Sequence, residues 1–301
     1  MLKRIIKLII AGGILSALFY YVNIETVISL LAEANSFLLF LGIVFFIASQ
    51  FINPINIGLL LRPLGHNLSY KMLFKTWSMS FSLGLLTPGK VGEFSIMYFL
   101  NKYDVSYLKG FVASLIDKML SLIILVLITI FGLPFYLGEL YVYVSLFFFL
   151  MGILLFFYIL QTKKMKILIK KVAPNRIHQE IEKVIESMNT VYNNPKYLLV
   201  NIGLSFLKWS MLLFGVYLFF LSFGQTPFFP VITSIYAFSL ILGLIPISIA
   251  GIGIREGSFV YLAEVFTTAT RDAAFNAAML LLLLKYLFAL ICYGYNNDLI
   301  E

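Results

Sequence analysis

The sequence predicts an all-α polytopic membrane protein, and composition is the first observation that does so. Of its 301 residues, 61% are hydrophobic and only 12% are charged, and the mean hydropathy is +0.98. Several apolar runs reach the roughly 20 residues that a helix needs to cross the hydrocarbon core of a bilayer. A composition this apolar is typical of a helix bundle in lipid.

Two glycine-rich, charged breaks inside the apolar runs are the second observation. The first is 87–93, Thr-Pro-Gly-Lys-Val-Gly-Glu, and the second is 250–257, Ala-Gly-Ile-Gly-Ile-Arg-Glu-Gly. Irregular backbone at membrane depth is tolerated only where protein buries it or where it lines a wet cavity. Charges at that depth are costly and are usually functional. Breaks in corresponding halves of a chain therefore point to a transporter-like site.

The first half of the chain, about 1–161, is predicted to contain four membrane-spanning helices and one broken helix pair. We expect 1–21 to be a retained helix rather than a cleaved signal peptide, because large aromatic residues stand where small ones would precede a cleavage site. A short amphipathic segment at 24–34 is expected at the membrane interface. The predicted spans are 5–21, 36–61, 107–132 and 141–160, and the broken pair is 70–86 with 91–101, split at Pro88-Gly89.

The second half, about 197–301, is predicted to repeat the order of helix, broken pair and helix upside down. Its spans are 198–222 and 273–295, and its broken pair is 230–246 with 254–265. Each short piece is too short to cross a bilayer alone, so we interpret both pairs as re-entrant hairpins that enter from opposite faces. The fold is then a single transmembrane domain, an inverted-topology repeat with two re-entrant helical hairpins and about six full transmembrane helices. The alternative counts each short piece as a tilted crossing and gives ten spans.

Positive charge sets the predicted orientation. The net charge is +8, and basic residues collect before the first apolar run and in the linker 162–196 that joins the halves. We therefore expect both termini on the cytoplasmic side of the cell membrane, and an amphipathic helix at about 177–192 on its surface. Juxtamembrane lysines usually determine topology, so no nucleic-acid partner is expected. The basic residues before the first apolar run and in the linker are Lys3, Arg4, Lys7, Lys163, Lys164, Lys166, Lys170, Lys171, Arg176, Lys183 and Lys196.

Charged residues at the breaks and on the long helices that follow them form the candidate binding site. A half-helix begins at each break, and a helix N-terminus offers free N–H groups and partial positive charge to an anion. The candidate substrate-binding residues are Lys90, Glu93, Asp117, Lys118, Arg255, Glu256 and Lys285. The residues that shape the hairpin backbone are Pro88, Gly89, Gly92, Pro246, Gly251, Gly253 and Gly257. Four cations against three carboxylates leave one surplus positive charge, which suits a phosphate headgroup.

Structural pairing is the alternative for these charges, with Glu93 facing Arg255 or Lys285 and Asp117 facing another cation. Catalysis has little support, because the two histidines occupy expected cytoplasmic positions and no Gly-x-Ser-x-Gly elbow or metal-ligand spacing is present. A single cysteine, Cys292, excludes an intramolecular disulfide and a multi-cysteine metal site. The glycines of the second break lack dinucleotide-fingerprint spacing. We expect neither an enzyme nor a bound cofactor or metal.

At these motifs the chain resembles the flippase-like family that includes the transmembrane region of lysylphosphatidylglycerol synthase. The resembling residues are Pro88-Gly89-x-x-Gly92-Glu93, Asp117-Lys118 and Gly251-x-Gly253-x-Arg255-Glu256-Gly257. With the spans between them, the resemblance covers nearly the whole chain. It implies movement of lipids such as aminoacylated phosphatidylglycerol between leaflets, and relatives are linked to polyprenyl-phosphate glycolipids and hopanoids. Asp117-Lys118 departs from the expected carboxylate followed by arginine, which leaves the headgroup preference open.

We therefore expect a flippase or scramblase that moves a phosphate-bearing lipid, whether anionic, aminoacylated or polyprenyl-phosphate-linked. Two alternatives stay open. One is an integral membrane enzyme on lipid-linked substrates, with Glu93 or Glu256 as general base. The other is a non-catalytic partner that docks a lipid or glycolipid synthase through 162–196. A homodimer is an assembly expected for this class. No fused aminoacyltransferase or glycosyltransferase domain is expected, because the sequence stops just after the last predicted helix.

Overall fold

The computed structural model describes residues 24–141, 143–147, 149–151 and 175–295. Throughout those ranges the regular structure is helical, so the predicted all-α class is confirmed. The helices are α1 (Ile24–Ala32), α2 (Ser36–Leu61), α3 (Tyr70–Gly84), α4 (Ile96–Asn101), α5 (Tyr107–Gly132), α6 (Asn175–Tyr192), α7 (Pro195–Ser222), α8 (Phe229–Leu242), α9 (Ile254–Phe266) and α10 (Arg271–Tyr295), with 3₁₀ turns at Val91–Ser95 and Leu133–Phe135.

Four helices are long and apolar enough to cross a membrane, namely α2, α5, α7 and α10. The predicted spans 36–61 and 107–132 coincide with α2 and α5, whereas α7 and α10 begin slightly before their predicted starts. Apolar helical residues also occur at 139–141, 143–147 and 149–151. The predicted span 5–21, the rest of the span 141–160 and most of the basic linker lie outside the described residues. The count of six spans therefore stays a prediction.

Both predicted breaks interrupt a helix pair. The first separates α3 from the 3₁₀ turn and α4, and the second separates α8 from α9. Pro88 has no backbone N–H to continue a helix, and Gly89 and Gly251 adopt positive φ angles of 58° and 75°. A Cβ on Gly251 would collide with the backbone of Gly243, so only glycine fits this turn.

The two breaks meet tip to tip. Pro88 and Ile249 form an isolated antiparallel bridge, and the Ala250 N–H donates to the Thr87 carbonyl oxygen over 3.0 Å. A Cβ on Gly89 would lie 3.0 Å from the carbonyl oxygen of Leu244. The close approach of the two tips thus depends on a residue without a side chain.

Buried apolar residues form two separate cores, one around each broken pair. Core 1 surrounds α8 and α9, and core 2 surrounds α3 and α4. Core 1 includes Phe46, Leu125, Leu212, Phe219, Ile232, Phe259 and Ala277. Core 2 includes Ile57, Leu73, Trp77, Ile96, Ala113, Ile116, Val191 and Ala289. The tip residues Ile249 and Ala250 pack into core 2 although they follow α8, so the second tip reaches across to the first.

Each long helix passes from one core to the other, and it does so at polar residues. α2 begins in core 1 and ends in core 2, and α10 does the same. α5 and α7 run the other way. The first long helices of the two halves, α2 and α7, are therefore antiparallel, as the 2.8 Å hydrogen bond from Asn35 N–H to the Ser222 carbonyl oxygen also requires.

The amphipathic helix α6 packs on the protein. Its residues Met188 and Val191 are buried in core 2, and Val184 packs against the same core. The apolar face that the sequence predicted at the membrane surface is therefore directed, at these positions, toward the other helices. The side chains of residues 175–179 lie outside the described part of the chain.

Candidate functional site

A cavity of about 330 Å³ lies between the two tips and the long helices. Its charged lining consists of five cations and one carboxylate. These residues are Lys90, Glu93, Lys118, Lys208, Arg255 and Lys285. Gly89 and Ala250 from the two tips also line it, and the remaining walls are largely apolar. Five of the seven predicted binding residues thus border one cavity, although they come from four separate elements.

Glu93 pairs with two lysines at the first break. Lys118 Nζ contacts Glu93 Oε2, and Lys90 Nζ lies 3.6 Å from Glu93 Oε1. The neighbouring residue Gly84 permits this packing, because a Cβ there would collide with the Glu93 side chain. The alternative partners that the sequence suggested for Glu93, Arg255 and Lys285, are not its ion-pair partners among the described residues.

Glu256 connects the second break to Arg255. Its Oε1 accepts from Arg255 Nε over 2.7 Å and from Arg255 Nη2, while its Oε2 accepts from the Gly253 N–H over 2.8 Å. This second bond satisfies a free N–H at the start of α9, as in a capping box. Both residues are buried: Arg255 is 4% exposed and Glu256 is 1% exposed.

Asp117 and Glu256 are not part of the cavity lining but lie directly behind it. Lys118 Nζ is 3.9 Å from Asp117 Oδ2. The other carboxylate oxygen of Asp117 is buried and has no hydrogen-bond partner within the described ranges. The glycine and proline residues predicted to shape the hairpins lie at the two tips, apart from Gly257, which is in the first turn of α9.

Lys208 is a cavity residue that sequence reasoning missed. It lies in the middle of α7, is 5% exposed, and donates to Asn53 Oδ1 and Ser121 Oγ, each over 3.1 Å. Its ammonium also lies 5.1 Å from the centre of the Trp209 ring. A lysine within an apolar helix of 28 residues was the available signal. With Lys208 the site holds five cations against three carboxylates, a surplus of two rather than one.

Lys285 has a neutral partner. Its ammonium donates to the Tyr236 hydroxyl over 3.3 Å and lies 5.9 Å from the centre of that ring. In the described part of the chain, neither Lys285 nor Lys208 has a carboxylate at ion-pair distance. Over the same ranges, histidine, cysteine and carboxylate side chains do not gather in groups of three that could hold a metal ion. The arrangement can therefore bind an anion with its lysines, its arginine and its hydroxyl and amide groups.

The family to which the chain belongs follows from a comparison with known families. The model of the family described as lysylphosphatidylglycerol synthase TM region covers residues 4–292. The chain belongs to this family. A search of curated proteins returned no match.

As a member of the lysylphosphatidylglycerol synthase TM region family, the chain is an integral membrane protein linked to lipid handling. The resemblance seen at the two breaks is thus confirmed. The matched region includes both breaks, α2, α5, α7, all but the last three residues of α10, and every residue of the charged cavity. The cavity accordingly lies within the matched region of this chain.

Proposed function

We propose that this protein is a flippase or scramblase that passes a phosphate-bearing lipid headgroup through the charged cavity between the two leaflets. The observation on which this rests is the position of the cavity. Five cations and one carboxylate border it, and it lies where each long helix leaves one apolar core and enters the other. Charged residues at such a depth are retained for function or for pairing with an opposite charge. Here the cations outnumber the carboxylates.

The inverted-topology repeat with two re-entrant hairpins is the architecture that we propose for this passage. Three observations support it: the broken pairs belong to opposite cores, their tips touch through Pro88 and Ile249, and α2 and α7 run antiparallel. In this arrangement each hairpin closes the cavity toward one leaflet. Movement of either hairpin would expose the same charges to a different side.

We propose that the protein lies in the cell membrane with its core 2 end on the cytoplasmic side. The segments beside core 2 are basic, whereas those beside core 1 hold Glu33, Glu139 and the Glu264–Arg271 pair. A basic excess marks the cytoplasmic side, and the C-terminal end of α10 lies at the basic end. The basic residues are Arg62, Lys71, Lys75, Lys102, Lys109, Lys183 and Lys196.

The size of the cavity fits a headgroup rather than a whole lipid. Its volume of about 330 Å³ is at the lower end of the range for small-molecule sites, roughly 300–1,000 Å³. The phosphate would contact the cations while the acyl or isoprenyl chains remain in the bilayer. Transport of this kind needs no chemical change in the lipid.

Transport is favoured over catalysis because the two candidate general bases, Glu93 and Glu256, are already engaged by other groups. Glu93 is engaged by Lys118 and Lys90, and both oxygens of Glu256 accept hydrogen bonds from Arg255 and Gly253. A general base needs access to the proton that it removes, and these carboxylates are held by cations instead. Turnover of a lipid phosphate by the purified protein would contradict this choice.

Lipid translocation in proteoliposomes tests the function. We expect Lys285→Ala and Arg255→Ala each to slow the flipping of fluorescent phosphatidylglycerol by about tenfold or more, since a lost charged hydrogen bond is worth about 1.5–3 kcal/mol. Lys183→Ala removes an exposed lysine paired with Glu180 and should leave the rate unchanged. If both cavity variants fold and flip lipid at the wild-type rate, the site assignment is wrong.

A further inference from the structure

The two surplus charges of the cavity are located on Lys208 and Lys285. Each ammonium has only neutral hydrogen-bond partners in the described part of the chain, namely Asn53 and Ser121 for Lys208 and Tyr236 for Lys285. Both side chains are 5% exposed. An ammonium this deep in the protein is costly unless an anion accompanies it.

The other three cations are already matched by carboxylates. Arg255 pairs with Glu256, and Lys118 lies within ion-pair distance of both Glu93 and Asp117. Lys90 shares Glu93 with Lys118. Three cations against three carboxylates leave no net charge in this group, so the whole positive surplus of two belongs to Lys208 and Lys285.

A free donor beside Lys208 is a second, independent sign of an anionic ligand. The Trp209 side chain lines the cavity, and its Nε1–H is buried without a hydrogen-bond partner within the described ranges. An indole N–H can only donate, so its missing partner is an acceptor. A buried donor left unpaired destabilises the protein, and a ligand oxygen would remove that cost.

We propose that the site selects a phosphate group with two negative charges, such as a phosphomonoester or a pyrophosphate, over a phosphodiester with one. This rests on the proposed headgroup function and narrows its substrate class. A dianion neutralises both lysines and offers several oxygens to Lys208, Lys285 and Trp209. A phosphodiester leaves one surplus charge, and an aminoacylated headgroup brings a further ammonium close to these lysines.

Binding of matched lipids to the purified full chain tests the selectivity. Native mass spectrometry at a pH well above the second phosphate pKa of about 6 would compare phosphatidic acid with phosphatidylglycerol of identical acyl chains. Phosphatidylethanolamine, a zwitterion whose phosphate and ammonium charges cancel, serves as the reference without net charge. We expect phosphatidic acid to bind at least about tenfold more tightly than phosphatidylglycerol, because its second negative charge pairs with the lysine that a phosphodiester leaves without an anion.

Two variants locate the preference. The double variant Lys208→Gln with Lys285→Gln keeps a hydrogen-bond donor at each position but removes both charges, so the preference for phosphatidic acid should disappear. Lys183→Gln, at an exposed lysine, should preserve the preference. A double variant that folds and still prefers phosphatidic acid by the wild-type factor would overturn the assignment to these lysines.

The outcomes separate this inference from the proposed function. Equal binding of phosphatidic acid and phosphatidylglycerol, both above phosphatidylethanolamine, refutes the dianion preference and leaves the transport proposal intact. Binding of neither above the reference refutes both, unless inorganic pyrophosphate binds in their place. Pyrophosphate binding without lipid binding would support the dianion preference, assign it to a soluble ligand and refute the flippase.

Discussion

At the scale of single residues, Glu256 combines two roles in one side chain. One oxygen accepts from the Arg255 guanidinium and the other accepts from the Gly253 N–H at the start of α9. Removing it would leave a buried guanidinium and a free helix N-terminus together. The same helix offers a contrast, because Glu264 pairs with Arg271 at positions that are 37% and 43% exposed.

We predict that Glu256→Ala lowers the free energy of unfolding by about 3–5 kcal/mol, the usual cost of breaking a buried ion pair from one side. Glu264→Ala should cost only about 0–1 kcal/mol, since exposed pairs contribute little. Thermal and denaturant unfolding in detergent would measure both. Equal stabilities of the two variants would mean that the Arg255–Glu256 pair is not buried in the folded protein.

The residue scale is also where sequence reasoning was least complete. Lys90 and Arg255 were visible because glycines stood close to them, whereas Lys208 lies inside α7 with no local signal except its charge. The partners of Glu93 depend on how α5 is rotated and shifted against the first break. Such rotations are decided by packing between helices far apart in sequence, which hydropathy does not record.

At the scale of elements, the sequence was sufficient for most helix boundaries. Turn residues, prolines and glycines mark the ends of α2, α3, α5 and α8, and these signals act locally. The contact between the two tips could not be derived in this way. It joins Thr87 to Ala250, two residues separated by slightly more than half of the chain.

A disulfide between the tips tests this contact. Residues paired in an antiparallel bridge have Cα atoms about 4.5–5.5 Å apart, within the range of about 4.4–6.8 Å that a disulfide spans. We therefore expect Pro88→Cys with Ile249→Cys to crosslink on mild oxidation in a Cys292→Ser background, as read by loss of free thiols. Failure to crosslink in a folded variant would contradict the meeting of the tips.

The control for that crosslink uses the two ends of α2. Gly65 follows its C-terminal end, and Gly224 lies close to its N-terminal end because Asn35 bonds to Ser222. A helix of 26 residues is about 39 Å long. Gly65→Cys with Gly224→Cys should therefore form no intramolecular disulfide under the same conditions.

At the scale of the whole molecule, two apolar cores enclose a layer of charge. Gln50 and Asn53 on α2, Lys118 and Ser121 on α5, and Lys208 on α7 border the cavity at this layer. Because the four long helices change cores there, the layer lies at mid-depth of the bundle. Hydropathy averages over such a layer, which explains why the long helices still score as membrane spans.

Two cysteine variants on one helix would show whether this layer is wet. Asn53 borders the cavity, whereas Asn56 is fully buried and bonds to Ser205. In a Cys292→Ser background, we expect a charged thiol reagent to modify Asn53→Cys readily and Asn56→Cys slowly, because only the first faces a space that admits water. Equally slow modification of both would mean that the cavity is dry.

The backbone at the two tips carries strain that the contact between them does not offset. Each tip contains one non-glycine residue in the left-handed region, Lys90 at φ 57° and Ala250 at φ 51°, and each costs roughly 1–2 kcal/mol. The hydrogen bond that joins the tips stabilises the protein by only about 0.5–1.5 kcal/mol. The tips are therefore kept together by the cores behind them and not by their own contact. A headgroup whose binding differs by a few kcal/mol between the joined and the parted tips would be enough to reverse the balance between them.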